Sequence, residues 1–355
     1  MVPQVGSVHA RALIDHFGEA EKIFKSSLSV LEQIDGIGTA RAKSIKSFSG
    51  FKQAEKEIQF VEKHKIQALF IKDNAYPKRL LNCYDPPTLL FYRGEADLNM
   101  KRTVSVIGTR SYSEYGKQLT EELINILREQ NVLVISGLAF GIDALAHRAC
   151  IKHQIPTVGV LAHGLDTLYP VQHSSLAKEM IRAGGGVLTE FPSNTKPDRH
   201  NFPTRNRIVA GMSDATIVVE SGNKGGSMVT AELANGYNKD VFAFPGRIYD
   251  SKSSGCNQLI KNNKAILLSE PADLIHLMNW NERTASNRKT QRELFVPLNE
   301  TERKIFDLLA DKETVEIDEI NQIPGCSVST VASSLLNMEL HNIVESLPGK
   351  RYRLL

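Results

Sequence analysis

The sequence predicts an α/β protein whose core is a mainly parallel sheet covered by helices on both faces. A helix-hairpin-helix domain precedes this core and a winged helix follows it. Three observations predict this. Short apolar runs alternate with helical stretches through the middle of the chain, and a glycine turn followed by a helix occurs twice near the start. Helical segments followed by a turn-linked strand pair close the chain. The predicted divisions are residues 1–65, 66–285, a linker at 286–297, and 298–355.

The 355 residues are 41% hydrophobic, enough for two or three cores, and carry a formal net charge of only +3. Any nucleic-acid surface is therefore expected as a local patch rather than a general basic coat. The cysteines, Cys83, Cys150, Cys256 and Cys326, stand far apart, with neither metal-ligand spacing nor a disulfide framework. No apolar run approaches the ~18 residues of a membrane span, and no apolar leader opens the chain. A soluble protein of a reducing cytoplasm, without membrane contact, is expected.

In the first domain, Val5 to Ile14 lines up with Ile37 to Lys46, an offset of 32 residues. Each copy is an apolar residue, a glycine, a Ser or a Thr, and an amphipathic helix. The run Ile34-Asp-Gly-Ile-Gly38 fits a hairpin whose amides face a DNA phosphate, with Thr39 expected to cap the next helix. Gln4 stands where the second copy has Gly36, so the first hairpin is less well formed on paper. A small bundle that recruits a protein is the alternative for this domain.

In the core, strands are expected at Thr103–Ile107, Val132–Ile135, Thr157–Leu161, Ala215–Val219 and Val241–Phe244. Ligands of such sheets gather outside the carboxyl ends of the strands, which is where the unusual residues fall. Residues 282–297 are polar and read as a linker. Beyond them, helices are expected at Thr301–Ala310, Ile317–Gln322 and Ser327–His341. A wing follows at Ile343–Leu354, turning at Pro348-Gly349. The would-be recognition helix contains no Arg or Lys, so a protein contact is at least as good a reading as duplex recognition.

The most informative stretch is Asn201-Phe-Pro-Thr-Arg-Asn-Arg207, preceded by Arg199 and His200. It combines forked guanidinium donors with an aromatic ring, as a site that grips phosphates and stacks a base requires. Three glycine-rich turns accompany it. Gly108-Thr109-Arg110 precedes a helix opened by Tyr115-Gly116. Ser136-Gly137 to Gly141 leads to Asp143 and His147, which share one helical face. Lys224-Gly225-Gly226-Ser227 opens another helix. Helix N-termini and glycine amides suit phosphate oxygens. The turns match neither a dinucleotide fingerprint nor a Walker sequence, and the Asp143/His147 pair reads first as a helix cap with a satisfied histidine. No catalytic constellation or metal cluster emerges, so the chemistry on offer is binding.

Tyr76-Pro77, Asp85-Pro-Pro87, Val106-Ile-Gly-Thr-Arg110, Ser136 to Asp143, Ala146-His147, Tyr169-Pro170, Asn201 to Arg207, Gly226 to Ala231 and Pro245-Gly246 together resemble the DprA/Smf family of DNA-processing proteins, over nearly the whole chain. The resemblance implies an extended Rossmann-like core that binds single-stranded DNA and forms homodimers. It also implies loading of RecA during natural transformation, on strands already coated by single-strand-binding protein. No established catalysis and no cofactor come with it. The DNA contacts expected are Gly108, Thr109, Arg110, Ser136, Gly137, Gly141, Arg199, Asn201, Phe202, Arg205, Asn206, Arg207, Lys224, Gly225, Gly226 and Ser227. Arg110, Arg205 and Arg207 are each expected on a phosphate and Phe202 on a base. The chain departs from the family pattern at Gly225-Gly226-Ser227 and at Asn263-Lys264-Ala265. Two other classes compete: a phosphoribohydrolase-like enzyme using Glu220 or Glu232, and a regulator reading duplex DNA through the winged helix.

Overall fold

The computed structural model describes residues 2–280 and 298–355, apart from 311, 313 and 342. The predicted linker at 286–297 lies outside the described residues. The N-terminal helices are α1 (Ser7–Phe17), α2 (Ala20–Lys25), α3 (Leu28–Glu32), α4 (Gly38–Lys46) and α5 (Phe51–Lys63). The internal repeat is visible in the backbone. Gln4 and Gly36, 32 residues apart, both adopt left-handed conformations, with φ of 63° and 76°. The Arg41 guanidinium ties the two turns together, donating to the carbonyls of Gln4 at 3.1 Å and Gly36 at 3.0 Å. Thr39 does not cap α4 as expected. The helix already begins at Gly38, so Thr39 lies inside it, and Ile37 at the N-cap offers no side-chain oxygen.

The core is a nine-stranded sheet of β1 (Gln67–Phe70), β2 (Leu89–Gly94), β3 (Arg102–Ile107), β4 (Val132–Ser136), β5 (Thr157–Val160), β6 (Gly186–Thr189), β7 (Ala215–Val218), β8 (Asp240–Ala243) and β9 (Ile266–Leu267). Its order is β1-β2-β6-β5-β4-β3-β7-β8-β9. Pairing is parallel from β6 to β9, and β1 and β2 add an antiparallel edge. Alternation along each strand explains the two-sided burial. Val132 and Val134 of β4 enter one apolar cluster with Val104, Val106 and Ile217, while Leu133 and Ile135 enter the other with Val158, Val160 and Ile208. The order runs outward from β3 in both directions, so the carboxyl ends of β3 and β7 form the switch-point crevice.

The helices of the core are α6 (Lys78–Leu81), α7 (Glu114–Leu127), α8 (Ile142–Lys152), α9 (Ser174–Arg182), α10 (Asn201–Gly211), α11 (Gly226–Gly236), α12 (Ser254–Lys261) and α13 (Asp273–Leu277). No helix among the described residues is long and apolar enough to cross a membrane.

The last domain comprises α14 (Glu300–Ala310), β10 (Val315–Glu316), α15 (Ile317–Ile320), α16 (Val328–Leu340), β11 (Val344–Leu347) and β12 (Arg351–Leu354). Val315–Glu316 pairs with β12, so the wing has three strands where two were expected. Two of the wing's basic residues face carboxylates. Arg353 grips Glu345 through two donors at 2.7 and 2.9 Å, and Arg351 reaches Asp214 of the core at 3.2 Å. The Gly349 amide donates to Asp240 at 3.1 Å.

Candidate nucleic-acid interface

At the carboxyl ends of β4 and β5, a cleft is lined by Arg110, Gly137, Ala139, Phe140, Tyr169 and Phe202, among others. The exposed Arg110 guanidinium lies over the Phe202 ring, 6.0 Å from its centroid, and the Tyr169 ring meets Phe202 edge-on at 6.0 Å. Phe140 stands 43% exposed and Tyr169 49% exposed, each too open to be a core residue. The loop carrying Phe140 is held from below. The Asp143 carboxylate accepts from the amides of Gly137 at 3.1 Å and Ala139 at 3.3 Å. His173 Nδ1 bonds the Leu138 carbonyl at 2.9 Å, and the same ring meets Phe140 edge-on. A cation beside several open aromatic faces suits phosphate and base together.

The stretch from Asn201 to Arg207 is the start of helix α10. Pro203 sits in the first turn, where a missing N–H costs nothing. This helical setting splits the segment. Arg199 is exposed and Asn201 and Phe202 are half-buried, whereas Arg205, Asn206 and Arg207 are buried. The expectation of a phosphate on each arginine is therefore corrected for two of them. Arg205 donates to the carbonyls of Gly137, at 2.5 Å, and of Val160, and to Asn206 Oδ1 at 3.1 Å. Burial pushes its guanidinium down to about 10, partly opposed by the adjacent Asp143. Arg207 pairs with Glu190 and donates to the Asp85 carbonyl. Asp85 in turn accepts from Tyr237 Oη at 2.5 Å. Burial raises the Glu190 carboxyl against the pull of Arg207, and its Oε1 has no hydrogen-bond partner among the described residues.

The glycine turns are also partly internal. A Cβ at Gly137 would meet Arg205 Nη2 and Asp143 Oδ2, each at 2.8 Å, and one at Gly141 (φ +86°) would strike the Thr109 carbonyl oxygen at 2.0 Å. Ser136 Oγ donates inward to Val106 O at 2.7 Å. The N-terminus of α7, expected to hold a phosphate beside Gly108 and Thr109, already holds a carboxylate. Glu220, which is buried, accepts from the Ser113 amide at 2.8 Å and the Ser113 hydroxyl at 2.5 Å. The Thr109 amide donates to the Glu220 carbonyl at 2.7 Å. Lys224, Gly225 and Gly226 are exposed at the start of α11, with Ser227 bonded to Ser221 at 2.8 Å. They do not line the cleft. Lys224 and Gly225 border a second, more apolar groove with Tyr84, Met228, Val229 and Leu233. Asn206 links the two regions, donating to the Gly226 carbonyl at 3.2 Å.

Asp143 and His147 are both buried, and Asp143, the second residue of α8, serves the amides of the preceding loop rather than capping the helix, whose N-cap is Gly141. His147 Nδ1 bonds Thr157 Oγ1 at 2.7 Å, and burial pushes its imidazole down to about 3. The carboxylates nominated for a hydrolase are engaged elsewhere: Glu220 at α7 and Glu232 with Lys264 at 2.8 Å. Phe140 and Tyr169 line the cleft but were not among the expected contacts. Their signal was present, since each is an aromatic inside a glycine- or proline-containing loop, away from any apolar periodicity that would bury it.

Residues 67–279 match the family model described as DNA recombination-mediator protein A. The chain belongs to this family, DprA/Smf. Residues 1–58 match a helix-hairpin-helix model and 293–350 the DprA winged helix domain. Protein Smf of Synechocystis sp. is 32% identical, with 99% of this chain and 96% of the relative covered. Protein Smf of Escherichia coli is also 32% identical, over 92% and 87%. Among solved DprA structures, that from Streptococcus pneumoniae has a TM-score of 0.65 at 31% identity, covering 77% of this chain and 93% of its own. The Helicobacter pylori structure, described as showing a single-stranded DNA binding mode, has a TM-score of 0.55 at 29% identity, over 61% and 96%.

Proposed function

We propose that this DprA/Smf protein binds single-stranded DNA in the cleft at the ends of β4 and β5 and acts there as a recombination mediator. In this reading it forms a homodimer and passes strands coated by single-strand-binding protein to RecA in the cytoplasm, with no cofactor and no catalytic step. The observation that carries the reading is Arg110 poised over Phe202 beside the open rings of Phe140 and Tyr169. Arg110 and Arg199 supply phosphate contacts and Phe202 a stacking face. Arg205, Asn206 and Arg207 form the layer that fixes the helix carrying Phe202, and the turn at Lys224 to Ser227 takes a later part of the strand.

The test is strand affinity across a salt series with a poly-thymidine oligonucleotide. Arg110→Ala should lower the log–log salt slope by roughly 0.7, because one phosphate contact no longer releases a counterion. Phe202→Ala should cost about 1–3 kcal/mol of binding with the slope nearly unchanged, because stacking releases none. The same variants should lose RecA nucleation on coated strands in step with affinity. Folded variants that bind as tightly as the parent would overturn the assignment.

A further inference from the structure

We propose that the loop following β8, Arg247 to Ser253, is a second station for a single strand, with Tyr249 stacking on a base and Arg247 meeting a phosphate. The proposal rests on the reading that the Arg110 cleft holds single-stranded DNA, and it extends the path beyond that cleft.

Tyr249 is 99% exposed and Ile248 85%, the most exposed large apolar side chains among the described residues. The backbone beneath them is well tied. The Asp250 amide donates to Arg247 O at 3.0 Å and the Ser253 amide to Asp250 O at 3.1 Å. The Asn257 side chain bonds both the amide and the carbonyl of Gly246, at 3.1 and 3.0 Å. A firmly built loop that presents an aromatic ring entirely to solvent marks a contact surface.

Position and charge indicate the occupant. β8 lies three places from β4 in the sheet, so the loop stands about 14 Å along the same carboxyl edge at ~4.8 Å per strand. The intervening edge is continuous with the cleft. The segment that starts at Arg110 carries Tyr112 (36% exposed) and Tyr115 (45% exposed). Tyr115 Oη donates to Pro245 O at 2.8 Å, and Lys252 Nζ to Tyr112 O at 3.4 Å. Rings and cations thus follow one another from Phe140 to Tyr249. The loop's acid, Asp250, is taken up by the Lys252 amide at 2.9 Å and the Ser253 hydroxyl at 3.2 Å. The exposed Glu114 on the same edge faces Lys117 at 3.6 Å. A stacking ring next to a cation, repeated along an open edge, fits a flexible polyanion with π-faces.

The experiment measures affinity of the full chain for thymidine oligonucleotides from roughly 4 to roughly 16 nucleotides, spanning one to several contacts. Tyr249→Ala should leave the shortest oligonucleotide unaffected and weaken the longest by about 5- to 150-fold, with Tyr249→Phe restoring it. Arg247→Ala should lower the salt slope on the long oligonucleotide alone. Phe202→Ala, the comparison arm, should weaken every length. Equal weakening at all lengths, or none at any length, overturns the second station while leaving the cleft standing. Unchanged affinity with a shift in mass by light scattering overturns it in favour of a contact between copies. A parent that binds no single strand of any length removes the cleft reading and this inference with it.

Discussion

The switch-point crevice between β3 and β7 and the cleft beside it at β4 and β5 lie on the same edge, yet they solve opposite problems. In the crevice, the amides at the start of α7 would suit a ligand phosphate. The protein fills that place with its own acid, since Glu220 takes the Ser113 amide and hydroxyl. The cleft next door keeps its internal acid, Asp143, beneath the loop on the amides of Gly137 and Ala139, and leaves its open side to other groups. It offers the exposed Arg110 and the rings of Phe140, Tyr169 and Phe202. The anion-binding machinery of the fold is thus turned inward to hold the sheet and helix together. In the proposed reading, recognition is left to side chains on an open surface, which accommodates a long strand better than a single nucleotide.

The comparison can be broken first in the buried layer beneath the cleft. Arg207→Ala leaves Glu190 and Asp85 without their cation, and removing one member of a buried pair costs about 3–5 kcal/mol. Chemical denaturation should show that loss, and Arg207→Lys should not restore it because a point charge cannot replace the fork. A loss under about 1 kcal/mol would mean that the network is not what holds α10.

A pH series sharpens the same layer. His147 is kept neutral, its folded value depressed to about 3 against an ordinary 6.5. Between those values the unfolded chain holds a proton that the folded chain does not. The contribution is therefore complete above pH 6.5 and is lost as pH falls toward 3. His147→Gln should flatten the stability curve in that window by about 1.4 kcal/mol per pH unit. Asp143 and Glu190, both raised by burial, act with the opposite sign and are common to parent and variant. Parallel curves would show that His147 takes up its proton without unfolding.

The smallest effect concerns the crevice itself. Glu220→Gln keeps the shape but removes the charge facing the α7 dipole, which should cost about 1 kcal/mol of stability. Affinity for a single strand should not change. A tenfold change in that affinity would place the crevice on the strand's path and erase the distinction between the two regions.

The five central strands were legible because both faces of the parallel sheet are apolar, leaving unbroken runs such as Val132–Ile135. Gln67–Phe70, Leu89–Gly94, Gly186–Thr189 and Ile266–Leu267 were not read. β9 has only two residues, both exposed, and β1 is a half-exposed edge without a clean alternation. Helix α10 escaped for the reverse reason. From Arg205 to Gly211 it is buried on all sides, so no apolar stripe separates an inner face from an outer one. The composition of the Asn201–Arg207 segment singled out this stretch but not the direction of its guanidinium groups. That direction is set by Glu190 and Asp85, which composition cannot place opposite Arg207. Arg110 and Phe202 were picked out for their chemistry, and the structure brings them together.

Asp214 carries a consequence for how such a chain can be assembled over evolutionary time. One of its carboxylate oxygens is shared between Arg79, at 2.8 Å, and Arg351 of the wing, at 3.2 Å, while the other accepts from Arg79 and from the Thr103 amide. Stripped of the wing, this acid would still have a complete fork and a backbone donor. At this acid the core therefore has no buried debt that the C-terminal appendage must settle. A lineage could discard that appendage, or graft a different one onto the same acid, without rebuilding the sheet beneath.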